Sequence, residues 1–189
     1  MRIVGGRHRG RKIIGPEDSG DVLRPTSDRA RESLFNVLEH GRFSPDGTSL
    51  VRGARVIDVF CGTGAFALEA LSRGAAAATL IDKDPAAIAL VHRNLTALGD
   101  AAKARVIQAD ATKPPRATDT HALAFLDPPY RSGLATPALT ALDEACWLTP
   151  DALCIVEVER REPCPVPPGF SALDERSYGR ARLVFLRKS

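Results

Sequence analysis

One stretch constrains this chain more than any other: Arg55 to Ala70, RVIDVFCGTGAFALEA. Val56, Ile57, Val59 and Phe60 form a short apolar run with β-branched members, the pattern of a buried parallel strand. Cys61-Gly62-Thr63-Gly64 interrupts that run. Ala65 to Ser72 then favours helix, and Gly74 suits its end. A strand that feeds a helix through Gly-x-Gly leaves free amides at the helix N-terminus and lets a ligand approach the backbone. The stretch therefore predicts an α/β fold with a ligand at its first turn. A tight turn without a ligand remains compatible with the glycines alone.

Two carboxylates narrow the ligand. Asp58 lies inside the strand, just before the glycines. An acid there repels a pyrophosphate and welcomes an ammonium group. Asp82 ends a second apolar run, Ala78-Thr79-Leu80-Ile81, 20 residues beyond Gly62. At that distance a carboxylate meets ribose hydroxyls in such folds. A ligand with a ribose and a cationic amino-acid end satisfies both, and S-adenosylmethionine is that ligand. NAD is the rival, because Gly62-x-Gly64-x-x-Ala67 also fits the dinucleotide pattern.

The alternation continues along the chain. Asp84 can cap a helix that opens on Pro85, buries Ile88, Val91, Leu95 and Leu98, and ends at Gly99. Strands follow over 105–108, 122–126 and 153–158. Pro137 is expected to open a helix carrying Leu139, Leu142, Cys146 and the one tryptophan, Trp147, a core residue. Residues 172–177 and 181–186 read as an antiparallel pair turning at Tyr178-Gly179. Strands alternating with helices imply a parallel sheet covered on both faces, with ligands beyond the carboxyl ends of its strands. Asp58, Asp82, Asp110 and Asp127 all fall at or near such ends.

Upstream, residues 2–14 read as a hairpin turning at Gly5-Gly6. Its charge is one-signed: Arg7, Arg9, Arg11 and Lys12 suit phosphates, although a solvated edge is the plainer alternative. Leu23 to Asp28 leads into a helix capped by Ser27 or Asp28. Ala30, Leu34, Val37 and Leu38 form its apolar stripe, and Arg29, Arg31 and Glu32 lie off it. Arg24, Arg29 and Arg131 are the further candidates for phosphate contact.

The chain has 189 residues, 44% hydrophobic and 26% charged, which suits one domain with a small appendage. Residues 1–22 are the expected appendage, a basic hairpin and loop, and 23–189 the main domain. No apolar run approaches the roughly 20 residues of a membrane span, and the N-terminus lacks a secretion signal. A cytoplasmic monomer is the expectation. The four cysteines have no metal-ligand spacing, so no metal site is expected and the thiols read as reduced and mostly buried. Cys61 has no neighbouring His to make it a nucleophile.

Asp127-Pro128-Pro129-Tyr130 is the most specific chemical signal. Two prolines after a buried strand fix a stiff turn without amide donors. The Asp127 carboxylate and the Pro128 carbonyl can both accept from one amino group, and Tyr130 offers a ring face to a flat base. An exocyclic base nitrogen is a poor nucleophile. Holding its two protons and aligning it with a methyl sulfonium favours in-line attack.

DVFCGTG followed by DPPY resembles the class I S-adenosylmethionine-dependent methyltransferases that act on base amino groups. The chain is more closely similar to the bacterial small-subunit (16S) ribosomal RNA guanine-N2 methyltransferase family. MRIVGGRHRGRKI, RPTSDRARESLFNVL, VIDVFCGTGAFALEALSRGA, LIDKDPAAI and FLDPPYRSG carry the resemblance over nearly the whole chain. It implies a Rossmann-like sheet of seven strands, the last antiparallel, with a β-hairpin extension at the N-terminus. It implies that Asp58, Gly62 and Gly64 line the methionine part of the cofactor and that Asp82 holds the ribose. Asp110 and Ala111 would meet the adenine, and Asp127, Pro128, Pro129 and Tyr130 the target guanine. The implied partner is small-subunit ribosomal RNA, free or within an assembling subunit. Ala67 stands where relatives often have glycine, and His8 where an aromatic is common. An adenine-N6 methyltransferase of DNA or RNA is the nearest alternative. A NAD-dependent dehydrogenase and a non-catalytic RNA-binding module are weaker ones.

Overall fold

The computed structural model describes residues 1–15, 28–44 and 46–189. The expectations for Arg24 and for a Ser27 cap lie outside these residues. Among the described residues one sheet holds seven strands: β1 (Arg55–Val59), β2 (Ala77–Asp82), β3 (Ala104–Gln108), β4 (His121–Leu126), β5 (Leu148–Glu159), β6 (Phe170–Tyr178) and β7 (Ala181–Lys188). Their order is β3-β2-β1-β4-β5-β7-β6. β1 to β5 run parallel, and β7 is antiparallel to both β5 and β6. The Rossmann-like α/β sheet with an antiparallel last strand is therefore present.

Four α-helices join it: α1 (Asp28–Glu39), α2 (Ala65–Ser72), α3 (Pro85–Leu98) and α4 (Ala135–Glu144). β1 exposes almost nothing after Arg55, as its apolar run requires. Alternate residues feed opposite cores. Val56, Leu80, Phe125 and Phe185 pack beneath α1, α2 and α3, and Phe66 stacks on Phe125 with centroids 5.3 Å apart. Ile57, Val59, Ile81 and Leu126 pack beneath α4 with Trp147. α3 is punctuated as its sequence predicts. Asp84 accepts from the Ala86 N–H at 2.9 Å, Pro85 opens the helix, and Gly99 closes it at φ 74°. Ile88 is only half-buried, and Ala87 and Asn94 take the inward positions instead.

Several local expectations are corrected. α4 begins at Ala135, two residues before Pro137, and ends before Cys146, whose φ is 63°. Trp147 is fully buried beyond the helix, and its indole N–H donates to the Pro115 carbonyl at 2.8 Å. Cys146 is exposed, while Cys61 and Cys154 are buried. β5 is longer than its apolar run, because pairing with β4 begins it at Leu148 and pairing with β7 carries it out to Glu159.

The N-terminal segment doubles back, but not as two paired strands. A single antiparallel bridge joins Arg2 to Lys12, and Gly6–His8 forms a 3-10 turn between them. Ile3 and Ile13 plug into the core beneath α1 to α3. Arg31, expected off the apolar stripe, is 1% exposed. It donates to the Asp28 carboxylate and to the Arg2 carbonyl, and lies 3.6 Å from Glu69. The stripe misjudged it because α1 is covered on a second side by the N-terminal segment.

Candidate active site

β1 and β4 are neighbours, yet their connections leave in opposite directions across the sheet. The crevice beyond their carboxyl ends is the topological switch point, where such sheets bind ligands. β1 reaches it through Phe60, whose φ is 58°, a left-handed conformation uncommon outside glycine. Gly62 and Gly64 follow, at φ 52° and 78°. A Cβ on Gly64 would lie 2.9 Å from Leu80 Cδ2, which would have to give way, and its φ of 78° itself favours glycine. A Cβ on Gly62 would meet open space, so that glycine leaves room for a ligand.

Asp58 is 1% exposed beneath this turn. Its Oδ2 accepts from the Ala67 N–H at 2.9 Å, in the first turn of α2. Burial pushes the Asp58 carboxyl up to about 8, and the nearby Asp82 charge adds to the rise. The Ala67 N–H partly offsets it. Asp82 is half-exposed and pins the glycine loop. Its Oδ2 accepts from the Gly62 N–H at 2.9 Å and its Oδ1 from the Asp84 N–H at 3.0 Å. Burial, with both acids nearby, pushes the Cys61 thiol far up, which disables it as a nucleophile.

Asp127 leaves β4 with its N–H on the Val59 carbonyl, 3.2 Å away, which ties the Asp127-Tyr130 turn to the end of β1. Pro128 is buried, and the Tyr130 hydroxyl donates to Glu157 Oε1 at 2.9 Å. A cavity of about 370 Å³ is lined by Asp82 and Asp84 on one side and by Asp127, Pro128, Pro129, Tyr130 and Glu157 on the other. The structure thus brings the Asp82 corner and the Asp127-Tyr130 turn to one space.

Two functional candidates escaped the sequence reading. Phe60 lines the same cavity. Glu157 is 4% exposed at the carboxyl end of β5, and its signal was an acid inside the apolar run Leu153 to Val158. Asp58 had been noticed on the same kind of signal.

The adenine-side candidates lie past the end of β3. Asp110 is exposed, and bonds from the Thr112 N–H and hydroxyl hold its carboxyl below the usual range. The Ala111 side chain is buried among the residues beneath α4. Asn94 links the glycine loop to the N-terminal segment. Its side chain accepts from the Ile14 N–H and donates to the carbonyls of Ile14 and Thr63, the latter in the glycine loop.

The basic residues divide. Arg7 pairs with the buried Asp100, which also meets His8 Nε2 at 2.9 Å, and Arg11 donates to the Ala97 carbonyl. Both are thus docked on the end of α3. Arg9 and Lys12 are exposed and make no side-chain bond among the described residues. Arg29 is exposed beside a cavity of about 360 Å³ that Arg9 also lines. Arg131 is exposed but clamped on the Glu159 carboxylate.

The chain matches, over residues 1–187, the family described as conserved hypothetical protein 95. It is 40% identical to ribosomal RNA small subunit methyltransferase D of Escherichia coli K12, over 95% of this chain and 85% of that protein. The Haemophilus influenzae protein of the same name is 34% identical over 95% of this chain and 89% of its own length. The solved structure of Escherichia coli yhhF superposes with a TM-score of 0.81 at 38% identity, covering 100% of this chain and 97% of that one. On this match along nearly its whole length, the chain belongs to the ribosomal RNA small subunit methyltransferase D family, within the class I S-adenosylmethionine-dependent methyltransferases.

Proposed function

We propose that this chain transfers a methyl group from S-adenosylmethionine to the exocyclic N2 of a guanine in small-subunit ribosomal RNA. The observation that carries it is the shared cavity, with the Asp127-Tyr130 turn facing the Asp82 corner of the glycine loop. The names of the relatives agree, since they are small-subunit rRNA methyltransferases.

The residues present fit the cofactor. Asp58 is a buried acid with a single N–H donor, suited to an ammonium group, and the space over Gly62 admits a chain against the backbone. Asp82 suits the ribose hydroxyls, and Asp110 with Ala111 lies on the adenine side. Bound there, S-adenosylmethionine supplies an electrophilic methyl group. The protein's part is to hold the nucleophile. The Asp127 carboxylate and the Pro128 carbonyl accept the two N2 protons, which fixes the nitrogen and raises its electron density. The proton released on methylation passes to Asp127. Tyr130, held by Glu157, packs on the base.

Glu157 favours guanine over adenine. Guanine presents N1–H beside its N2 amino group, whereas adenine presents a bare N1 acceptor beside N6. A buried carboxylate lining the same cavity as Asp127 can accept from the first and repels the second.

The test is nucleoside analysis of small-subunit rRNA from a deletion strain, complemented with wild type or with Asp127→Ala. Wild type should restore one N2-methylguanosine. Asp127→Ala should lose turnover by at least about a hundred-fold while keeping cofactor affinity. Restoration of N6-methyladenosine instead, or near-normal turnover by a folded Asp127→Ala variant, overturns the assignment.

A further inference from the structure

A second cavity, of about 630 Å³, lies beyond Tyr130, and the mechanism makes no use of it. Arg131, Thr136, Arg161, Pro163 and Pro165 line it. We infer that it is a subsite for the nucleotide adjoining the methylated guanine, holding that base against arginine and proline faces and its phosphate by charge. This rests on the reading of the chain as an RNA methyltransferase.

Its position supports one neighbouring nucleotide. Tyr130 and Arg131 are successive residues, and each is fastened to β5. The Tyr130 hydroxyl donates to Glu157, and the Arg131 guanidinium donates to both oxygens of Glu159. Glu157 and Glu159 project from the same side of the strand, one two-residue repeat apart, about 6.6 Å. The target-base cavity and the second cavity therefore stand side by side along one wall, one step of the chain apart.

Its chemistry fits a base with a phosphate. The volume falls within the range of ligand sites. The Glu159 clamp fixes the plane of the Arg131 guanidinium, and a fixed guanidinium plane stacks on bases. Pro163 and Pro165 add rigid apolar faces. The Thr136 hydroxyl donates to the Pro165 carbonyl at 2.6 Å, which ties the proline-rich loop to the start of α4. Arg161 is exposed and makes no side-chain bond among the described residues. Arg160 and Arg180 flank the same corner, joined by a backbone bond of 2.7 Å. Arg131 and Arg161 line the cavity with Glu159 and Glu162, and Arg180 lies 3.8 Å from Glu159, so three arginines meet two carboxylates at this corner. With stacking faces and charge as its chief features, the subsite should tolerate any base.

The experiment uses the full chain, cofactor and a small-subunit rRNA fragment carrying 2-aminopurine on one or the other side of the target guanine. Wild type should perturb the fluorescence at one neighbouring position. Arg161→Glu should abolish that perturbation and raise the RNA KM about ten-fold. The Arg161→Glu kcat should fall far less, and its cofactor affinity should match wild type. Arg161→Lys should recover most of the RNA affinity. No perturbation at either position, or an Arg161→Glu KM equal to wild type, overturns the subsite while methyl transfer by wild type upholds the main reading. Absence of methyl transfer by wild type overturns both.

Discussion

Asp58 is buried with one N–H donor against it, and its carboxyl titrates near 8 instead of near 3.8. The ligand-free folded chain thus holds a proton there between about pH 4 and 8 that the unfolded chain has lost. Its contribution to stability is full below the unfolded value and disappears as pH rises through about 8. An ammonium group needs the ionised form, so cofactor binding near pH 7 should expel close to one proton. Calorimetry in two buffers of different ionisation enthalpy measures this. The observed binding enthalpy should differ between buffers for wild type, cofactor affinity should rise toward pH 8, and Asp58→Asn should lose both effects. Identical enthalpies in the two buffers would mean that Asp58 is already ionised. Asp58 was legible as a candidate because an acid inside a strand stands out. Its protonation was not, because that depends on the burial imposed by α2.

Among the elements, the N-terminal segment shows how composition can mislead. Its cations look equivalent in sequence, but two are spent on the protein. Arg7 helps neutralise the buried Asp100, and Arg11 is fastened to the end of α3, where helix carbonyls welcome a cation. Arg9 and Lys12 face solvent. Replacing Arg9 and Lys12 with Gln should flatten the slope of log RNA affinity against log salt by roughly 0.7–0.9 per lost contact, with the melting temperature unchanged. Arg7→Gln should instead lower the melting temperature, since it removes a partner from a buried carboxylate. RNA titrations across a salt series, paired with thermal melts, check both. Equal slopes would make this arm an ordinary solvated edge. The helices were easier to read. Asp84-Pro85 and Gly99 act through bonds within a few residues, so α3 was set out by local chemistry alone.

At the scale of the whole molecule, the N-terminal segment, α1 and α2 meet at Glu69, which is 0% exposed. Its carboxylate accepts from the Val4 N–H at 2.9 Å and from Arg73 Nε at 2.7 Å, with Arg31 Nε 3.6 Å away. Arg73 also pairs with Glu39 of α1, and Ser72 donates to the Gly5 carbonyl at 2.6 Å. Burying ions in this way is costly unless every partner is present. Glu69→Ala should therefore destabilise the chain by about 3–5 kcal/mol, measured by denaturant unfolding. A loss below about 1 kcal/mol would show that water replaces the carboxylate without difficulty. Because α2 begins at the glycine loop, this hub also fixes the N-terminal segment relative to that loop. None of it was visible beforehand. Glu69 and Arg73 are four residues apart on α2, but the partners that complete the hub, Val4 and Glu39, come from 65 and 34 positions away.

What the sequence by itself determined follows from short-range rules. Apolar runs, glycine turns, proline positions and acids at strand ends specify the parallel α/β alternation, the glycine loop and the Asp127-Tyr130 turn. Each of these depends on backbone chemistry within a few residues. Only the tertiary structure decided which charges are buried and which are free. Arg31, Glu69, Asp100 and Glu157 are ordinary surface types in sequence, and are buried because distant elements closed over them. Burial is a property of neighbours in space. It sets both the protonation of Asp58 and which of Arg7 and Arg9 is left free as a candidate RNA contact, and no local pattern encodes it.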